Sequence, residues 1–375
     1  MKNMQIDPMR RAWMEVDCRA LRANYGAVTQ RIPAGCAVLP MVKANGYGVG
    51  TSLATRTLGG LDPWGFGVAT VEEGLEVRAN GWHGPIVVFT PSVPADIPDM
   101  IEGGMEPVVT GVACLRELAG ARREGLAVHL ELDTGMGRFG LDWSDAETWV
   151  RAVAESIGEG RLAVRSTFTH FHSAESDREA TAEQWRRLSV VTDAMHAAGV
   201  NPGLVHAANS AAILEYTGMA GDMVRPGVWL YGVELCGRRA EVVASVRARC
   251  LEVRDVRAGA TVSYGATYRT PGPARLATLG IGYADGYPRT LSGRGRVLLG
   301  GRPAPVRGIV SMDSIVVDVT GRDDVQRGDA ATVLGRDGNE EITVEELAEA
   351  CDTISYEILT GWSARLPRIG FDGDA

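Results

Sequence analysis

Short apolar runs alternate with longer helix-like segments along the first two-thirds of the chain, and this alternation constrains the fold more than any other feature. Eight such runs occur, at 36–42, 65–69, 85–89, 107–109, 127–132, 165–169, 204–207 and 223–225. Between them lie helical patterns such as 71–79 (VEEGLEVRA), 145–156, 181–198 and 211–216, several opened by acidic first turns. Eight strand–helix units in roughly 230 residues predict a (β/α)8 TIM barrel, a closed parallel sheet wrapped by helices. The texture then changes: VVASVRARCLEVRDV, RLATLGIGYADGY and RVLLGGRPAPVRGIVSMDSIVVDV are β-branched, alternating and broken by Gly turns. They predict a mainly β C-terminal domain. The chain divides on this reading into a barrel, 1–240, and a β-rich domain, 241–375. One late helix is predicted, opening at Thr343 with Glu346 three residues on as a capping box.

Charge excludes some partners. With 38 basic and 47 acidic side chains among 375 residues the net charge is −9, and no basic block interrupts the sequence. Such a surface is a poor ligand for phosphate backbones or anionic lipid, so neither a nucleic-acid nor a membrane partner is expected. The cysteines at 18, 36, 114, 236, 250 and 351 are scattered, with no CxxC and no Cys/His cluster at metal-ligand spacing. Buried free thiols in a reducing compartment account for them, and residues 1–13 build no signal-peptide apolar stretch. A cytoplasmic location and no metal are expected.

In a barrel the C-terminal strand ends and the loops after them carry function, while the opposite mouth carries stability. That rule sorts the polar residues. Lys43 follows the apolar run AVLPMV and precedes Ala44, Asn45, Gly46, Tyr47 and Gly48. A lysine at this depth is costly unless it is paired, deprotonated or covalently engaged. Two readings stand: a side chain snorkelling from a strand end, and a lysine that condenses with a carbonyl. In HLELDTGMGR, strand alternation sends His129, Glu131 and Asp133 to one side, where a purely supporting hydrogen-bond network is the plainer reading for His129 and Asp133. Arg138, past the Gly turn, suits an oxygen anion. The sixth, seventh and eighth runs end in Thr169-His170, His206-Ala207-Ala208-Asn209-Ser210 and Arg225-Pro226-Gly227. There a hydroxyl and backbone N–H groups can hold a phosphate.

The segment VKANGYG resembles the pyridoxal-phosphate signature of the alanine racemases, whose fold is a barrel followed by a β domain. The resemblance covers nearly the whole chain, continuing through DTGMGR, THF, HAANS, RPG, VSYGATY, IGYADGYPR and SMD in family order. It implies that Lys43 holds pyridoxal 5'-phosphate and serves as one catalytic base, and that Tyr264 is the other, reaching in from a second subunit of a homodimer. Inverting a stereocentre requires a proton acceptor on each face. By the same resemblance Arg225 faces the pyridine nitrogen with His206 behind it. Tyr47, Ser210 and Gly227 hold the phosphate, Arg138 the ring oxygen and the substrate carboxylate, and His170 lies near the ring. The Met312 backbone N–H binds the substrate carboxylate across the interface, and Tyr283 narrows the entrance.

The sequence departs from the family pattern at two positions. Where many members carry a carbamylated lysine that orients the arginine corresponding to Arg138, this chain has Glu131, a carboxylate supplied directly. Where some carry a phosphate-contacting tyrosine, it has Ala364 in WSARLPR. The expected function is a homodimeric alanine racemase that interconverts L- and D-alanine by two bases and supplies D-alanine as a peptidoglycan precursor. Serine or a wider set of amino acids is the alternative substrate range. A decarboxylase, an aldolase or a non-catalytic carrier of the cofactor on a similar scaffold are the alternative classes.

Overall fold

A computed structural model describes residues 9, 11–121 and 123–372. All eight expected barrel strands are present, as Ala37–Val38, Phe66–Val68, Ile86–Val88, Glu106–Val109, Leu126–Asp133, Leu162–Thr169, Leu204–His206 and Met223–Val224. The second to seventh pair in sequence order, every pair parallel, and the eighth pairs parallel with the first. A single bridge, Met41 to Gly67, joins the first strand's extension to the second strand. Between the seventh and eighth strands a side chain completes the ladder: Val205 N–H donates to Asp222 Oδ2 at 2.8 Å, and Asp222 N–H donates to Val205 O at 2.8 Å. Leu39, Val87, Val108, Phe168 and Met223 are buried together as one apolar cluster, the filled interior that makes such a barrel a core rather than a pore.

The second domain is built on the 13-residue strand Ala244–Val256. Its first half pairs antiparallel with Ala330–Asp337 and Ala12–Asp17, and its second half with Ala274–Leu279. A register shift between Cys250 and Glu252 marks the change of partner, as expected where a bulge bends a long strand. Sequence reading finds no strand before residue 36, yet Ala12–Asp17 is one, and it also pairs parallel with the last strand, Arg368–Phe371. It escapes notice because Trp13, Met14 and Val16 are all buried, Trp13 beneath the Arg249 guanidinium 4.9 Å from its ring, so alternation is broken.

The late region also differs from expectation. Two helices occur, Val344–Cys351 and Ser355–Thr360. Thr343 accepts from Glu346 N–H at 3.1 Å, but the other half of the capping box is not formed, because the Glu346 carboxylate turns to Arg296, with bonds of 2.7 and 2.8 Å. A guanidinium gripping both carboxylate oxygens outcompetes one backbone N–H. Among the described residues no helix is long and apolar enough to cross a membrane.

Candidate active site

Past the first barrel strand the backbone turns left-handed. Ala44, Asn45, Gly46 and Tyr47 have φ of 52, 55, 59 and 51°, an arrangement that only the glycine adopts without penalty. Three non-glycine residues here cost about 1–2 kcal/mol each, so the surroundings must hold them. Glu73 accepts from Ala44 N–H at 2.6 Å and from Ala69 N–H at 2.7 Å; Asn45 Oδ1 accepts from Thr51 N–H at 3.0 Å. Tyr47 stacks on Tyr231 at 4.8 Å between centroids, and the Tyr231 hydroxyl donates to Met41 O at 2.8 Å. The turn swings Lys43 and Tyr47 into one cavity.

That cavity has a volume of about 330 Å³. Lys43, Tyr47, Arg138, His170, Ser210, Arg225 and Gly227 all line it, so all of the barrel residues expected at the cofactor come together. Its closed end is tightly built. Ser210 Oγ accepts from Gly227 N–H at 2.9 Å, and a Cβ added to Gly227 would sit 2.4 Å from the Tyr47 hydroxyl. Gly227→Ala is therefore expected to push the stacked Tyr47 ring out of place and weaken pyridoxal-phosphate binding about tenfold or more, measured as the cofactor's dissociation constant by fluorescence titration. An unchanged constant would show that this end of the cavity is not where the phosphate is held.

Positive charge and burial set the electrostatics. Burial, then the nearby Arg138 and Arg225, hold the Lys43 ammonium below its ordinary range, with Glu73 acting the other way. Burial, helped by Arg225, Arg138 and Lys43, drives His170 down to about 3, so it is neutral across the physiological range. The Arg225 guanidinium, 4% exposed, comes down to about 10 through burial and stays charged at neutral pH. It donates to Thr169 O at 2.9 Å, to Ala207 O at 3.1 Å and to His206 Nδ1, and lies 5.0 Å over the Phe168 ring. Glu131 is buried close to this group. Burial raises its carboxyl above the usual range while Arg225 and then Arg138 oppose the rise. No ion pair within 4.0 Å joins Glu131 to Arg138, whose guanidinium instead lies 5.5 Å over Phe139, so any orienting effect acts at longer range. Asp133 points elsewhere, accepting from Gly135 and Gly137 N–H at 2.9 and 3.0 Å to brace the turn before Arg138.

Tyr264, Tyr283 and Met312 lie outside this cavity on the β domain, 69, 42 and 50% exposed. The last two belong to loops laced together: Tyr283 N–H donates to Ser311 O and Ala284 N–H to Met312 O, both at 3.0 Å. Ser263, Gly265 and Ala266 around Tyr264 have φ of 62, 67 and 49°, a left-handed segment on which that side chain stands exposed.

Sequence reading places the run ending in Asn209 and Ser210 at this mouth but misses Met41, Phe89, Tyr356 and Thr360 as cavity residues. Phe89 ends the third apolar run, so the strand-end rule could have found it. Tyr356 and Thr360 could not be found that way, since they arrive on a helix of the other domain. That helix docks where Gly48, at φ 88°, leaves no room for a Cβ, which would meet Leu359 O at 2.0 Å.

The donor set fits a ring bearing an aldehyde and a phosphate: an amine held below its ordinary range, two cations, a hydroxyl and a glycine cradle. Residues 16–235 match the family model for the alanine racemase N-terminal domain and 243–370 that for the C-terminal domain. The chain is 40% identical to an alanine racemase of Symbiobacterium thermophilum, over 97% of this chain and 98% of that one. It is 36% identical to one from Halothermothrix orenii, over 96% of each. The crystal structure of alanine racemase from Bartonella henselae, with covalently bound pyridoxal phosphate, superposes with a TM-score of 0.86 at 30% identity, covering 96% of this chain and 99% of that one. Fold and site define a pyridoxal-phosphate-dependent amino-acid racemase. The chain belongs to the alanine racemase family.

Proposed function

We propose that the chain interconverts L- and D-alanine as a homodimer in the cytoplasm, supplying D-alanine as a peptidoglycan precursor. In this reading the barrel, which lies within 1–240, carries Lys43, and the β domain, 241–375 with the strand Ala12–Asp17 added to its sheet, carries Tyr264 to the site of a second copy. The observation that supports it most is the convergence of Lys43, Arg138, Arg225, Ser210 and Tyr47 on one cavity. Pyridoxal phosphate, when bound, supplies a carbonyl for the lysine or the amino acid to condense with and a conjugated ring that spreads the electron pair left at the α-carbon.

The chain's own residues do the rest. Lys43, held below its ordinary range, has a larger neutral fraction than a surface lysine and can take a proton at Nζ. Tyr264 of the second copy takes or returns one on the opposite face. Arg225 remains charged and does not surrender a proton, so a ring nitrogen held by it would stay unprotonated and the ring would draw electrons less strongly. Ser210, Gly227 and Tyr47 hold the phosphate. Arg138 and the Met312 backbone N–H hold the substrate carboxylate, and Tyr283 narrows the way in. A tyrosine and a methionine so exposed in one chain are explained if a second chain covers them.

Glu131 stands in for the carbamylated lysine by supplying negative charge near Arg138 and Arg225. Glu131→Gln is expected to slow turnover about five- to tenfold, the effect of losing ~1 kcal/mol or slightly more of charge support. An unchanged rate would leave Glu131 without this role. The reaction itself is tested by mixing the protein with pyridoxal phosphate and L-alanine in deuterated water. Deuterium at the α-carbon and D-alanine are expected; absence of both overturns the proposal, and faster reaction of L-serine moves the substrate.

A further inference from the structure

We propose that Glu106, His129 and Ser166 are positioning residues for Arg225: with His206 they form one directed hydrogen-bond line through the barrel that receives the His206 Nε2 proton and holds the ring facing Arg225. The proposal rests on Arg225 facing the cofactor, as read above. Its residues come from five consecutive strands, Glu106 from the fourth, His129 from the fifth, Ser166 from the sixth, His206 from the seventh, and Arg225 just past the eighth. The strand register makes this possible, with Val108 opposite His129, His129 opposite Ser166 and Phe168 opposite His206.

The direction of each bond follows from what each group can do. A guanidinium only donates, so His206 Nδ1, its partner, accepts. Burial and then the Arg225 charge hold His206 well below its ordinary range, so the ring is neutral and its proton sits on Nε2, 3.0 Å from Ser166 Oγ. Ser166 is fully buried, and its remaining partner is His129 Nδ1 at 2.6 Å, to which its hydroxyl donates. His129 Nε2–H then donates to Glu106 Oε2 at 2.8 Å. The line ends on a carboxylate at the opposite mouth of the barrel, with the Arg165 guanidinium 3.7 Å away.

Every polar atom along this path has a partner, and the order admits no reversal while Arg225 is charged. A barrel interior is normally filled with branched apolar side chains, and a buried polar chain is tolerated only when complete. Arg225 selects the tautomer of His206, and the line holds that ring in one orientation, so its Nδ1 lone pair stays presented to Arg225. The stack of His206 on Phe168, 4.9 Å apart and 5° from parallel, holds the ring plane.

The experiment has two arms. In the first, the cofactor-free protein labelled with 15N-histidine is read by long-range proton–nitrogen correlation. His206 is expected with Nε2 protonated and Nδ1 bare, and Ser166→Ala, which removes the acceptor of that proton, is expected to shift the Nε2–H resonance while leaving the tautomer set by Arg225; a protonated Nδ1 in the unsubstituted protein, or an Nε2–H resonance unmoved by Ser166→Ala, overturns the proposal. In the second, kcat, KM and the pH titration of the bound cofactor's absorption are compared. Ser166→Ala and Glu106→Leu are each expected to lower kcat on the order of tenfold, as loss of an outer hydrogen-bond partner does, and to displace the titration. Glu106→Gln, whose amide oxygen still accepts from His129, should recover most of both. If Ser166→Ala and Glu106→Leu lower only the thermal midpoint, leaving kcat and the titration as in the parent, the line is structural and the proposal fails. Should the parent not racemise alanine at all, the reading of function fails while the tautomer arm still decides the line.

Discussion

Replacing Lys43 by alanine is expected to lower racemisation by about 10⁴-fold or more, the size of loss seen when a covalent catalytic group is removed. Lys43 is the one lysine lining the cavity, so no second side-chain amine there can take its place. The same variant should lose the visible absorption of cofactor bound through an amine while still binding its phosphate at Ser210 and Gly227. Retained absorption would mean that another amine is the anchor. A dependence on pH accompanies this. A lysine held below its ordinary range is neutral over a wider span, so the cofactor-free protein should take up pyridoxal phosphate faster as pH rises through that lowered range. Arg138→Met, which removes a depressing charge, should move this rise to higher pH.

Tyr264→Phe is the second large effect, expected at about 10³-fold in racemisation, which corresponds to ~4 kcal/mol. The loss should be uneven. One enantiomer should still exchange its α-hydrogen with solvent through Lys43, while inversion stops. Complementation separates a partner's tyrosine from one in the same chain. When Lys43→Ala and Tyr264→Phe chains, each inactive, are unfolded together and refolded, half of the dimers are mixed. Each mixed dimer holds one site with both residues intact, so about a quarter of the parent activity should return. No recovery in dimers shown to be mixed would place both bases in one chain.

How much could be read from the sequence follows the range of the interactions. The barrel was legible because each strand and each helix such as Val71–Ala79 is a local pattern, and a closed parallel sheet is what such units build. Lys43, Arg138, His170 and Arg225 were legible because strand ends share one mouth. Non-local features were not. The strand Ala12–Asp17 is defined by partners at 244–248 and 368–371, and Tyr356 enters the cavity on a docked helix. The break between Glu131 and Arg138 was equally hidden, since it depends on where Arg138 settles over Phe139. His129 was read as a supporting residue, and its bonds to Ser166 and Glu106 agree with that, while their shared direction emerges only in three dimensions.

The strand Ala12–Asp17 lies between Ala244–Val256 and Arg368–Phe371, so one sheet is stitched from both ends of the chain. During synthesis those first residues leave the ribosome with their partners still unmade, and the sheet closes only after the last strand emerges. Barrel units can pair with sequence neighbours as they appear, whereas this closure waits for the most distant contacts in the molecule, the slow class of folding event. The cavity bearing Lys43 shares this delay, because Tyr356 and Thr360 on the late helix complete its lining, and a chain cut short before 368 would leave the strand Ala12–Asp17 without one of its two partners.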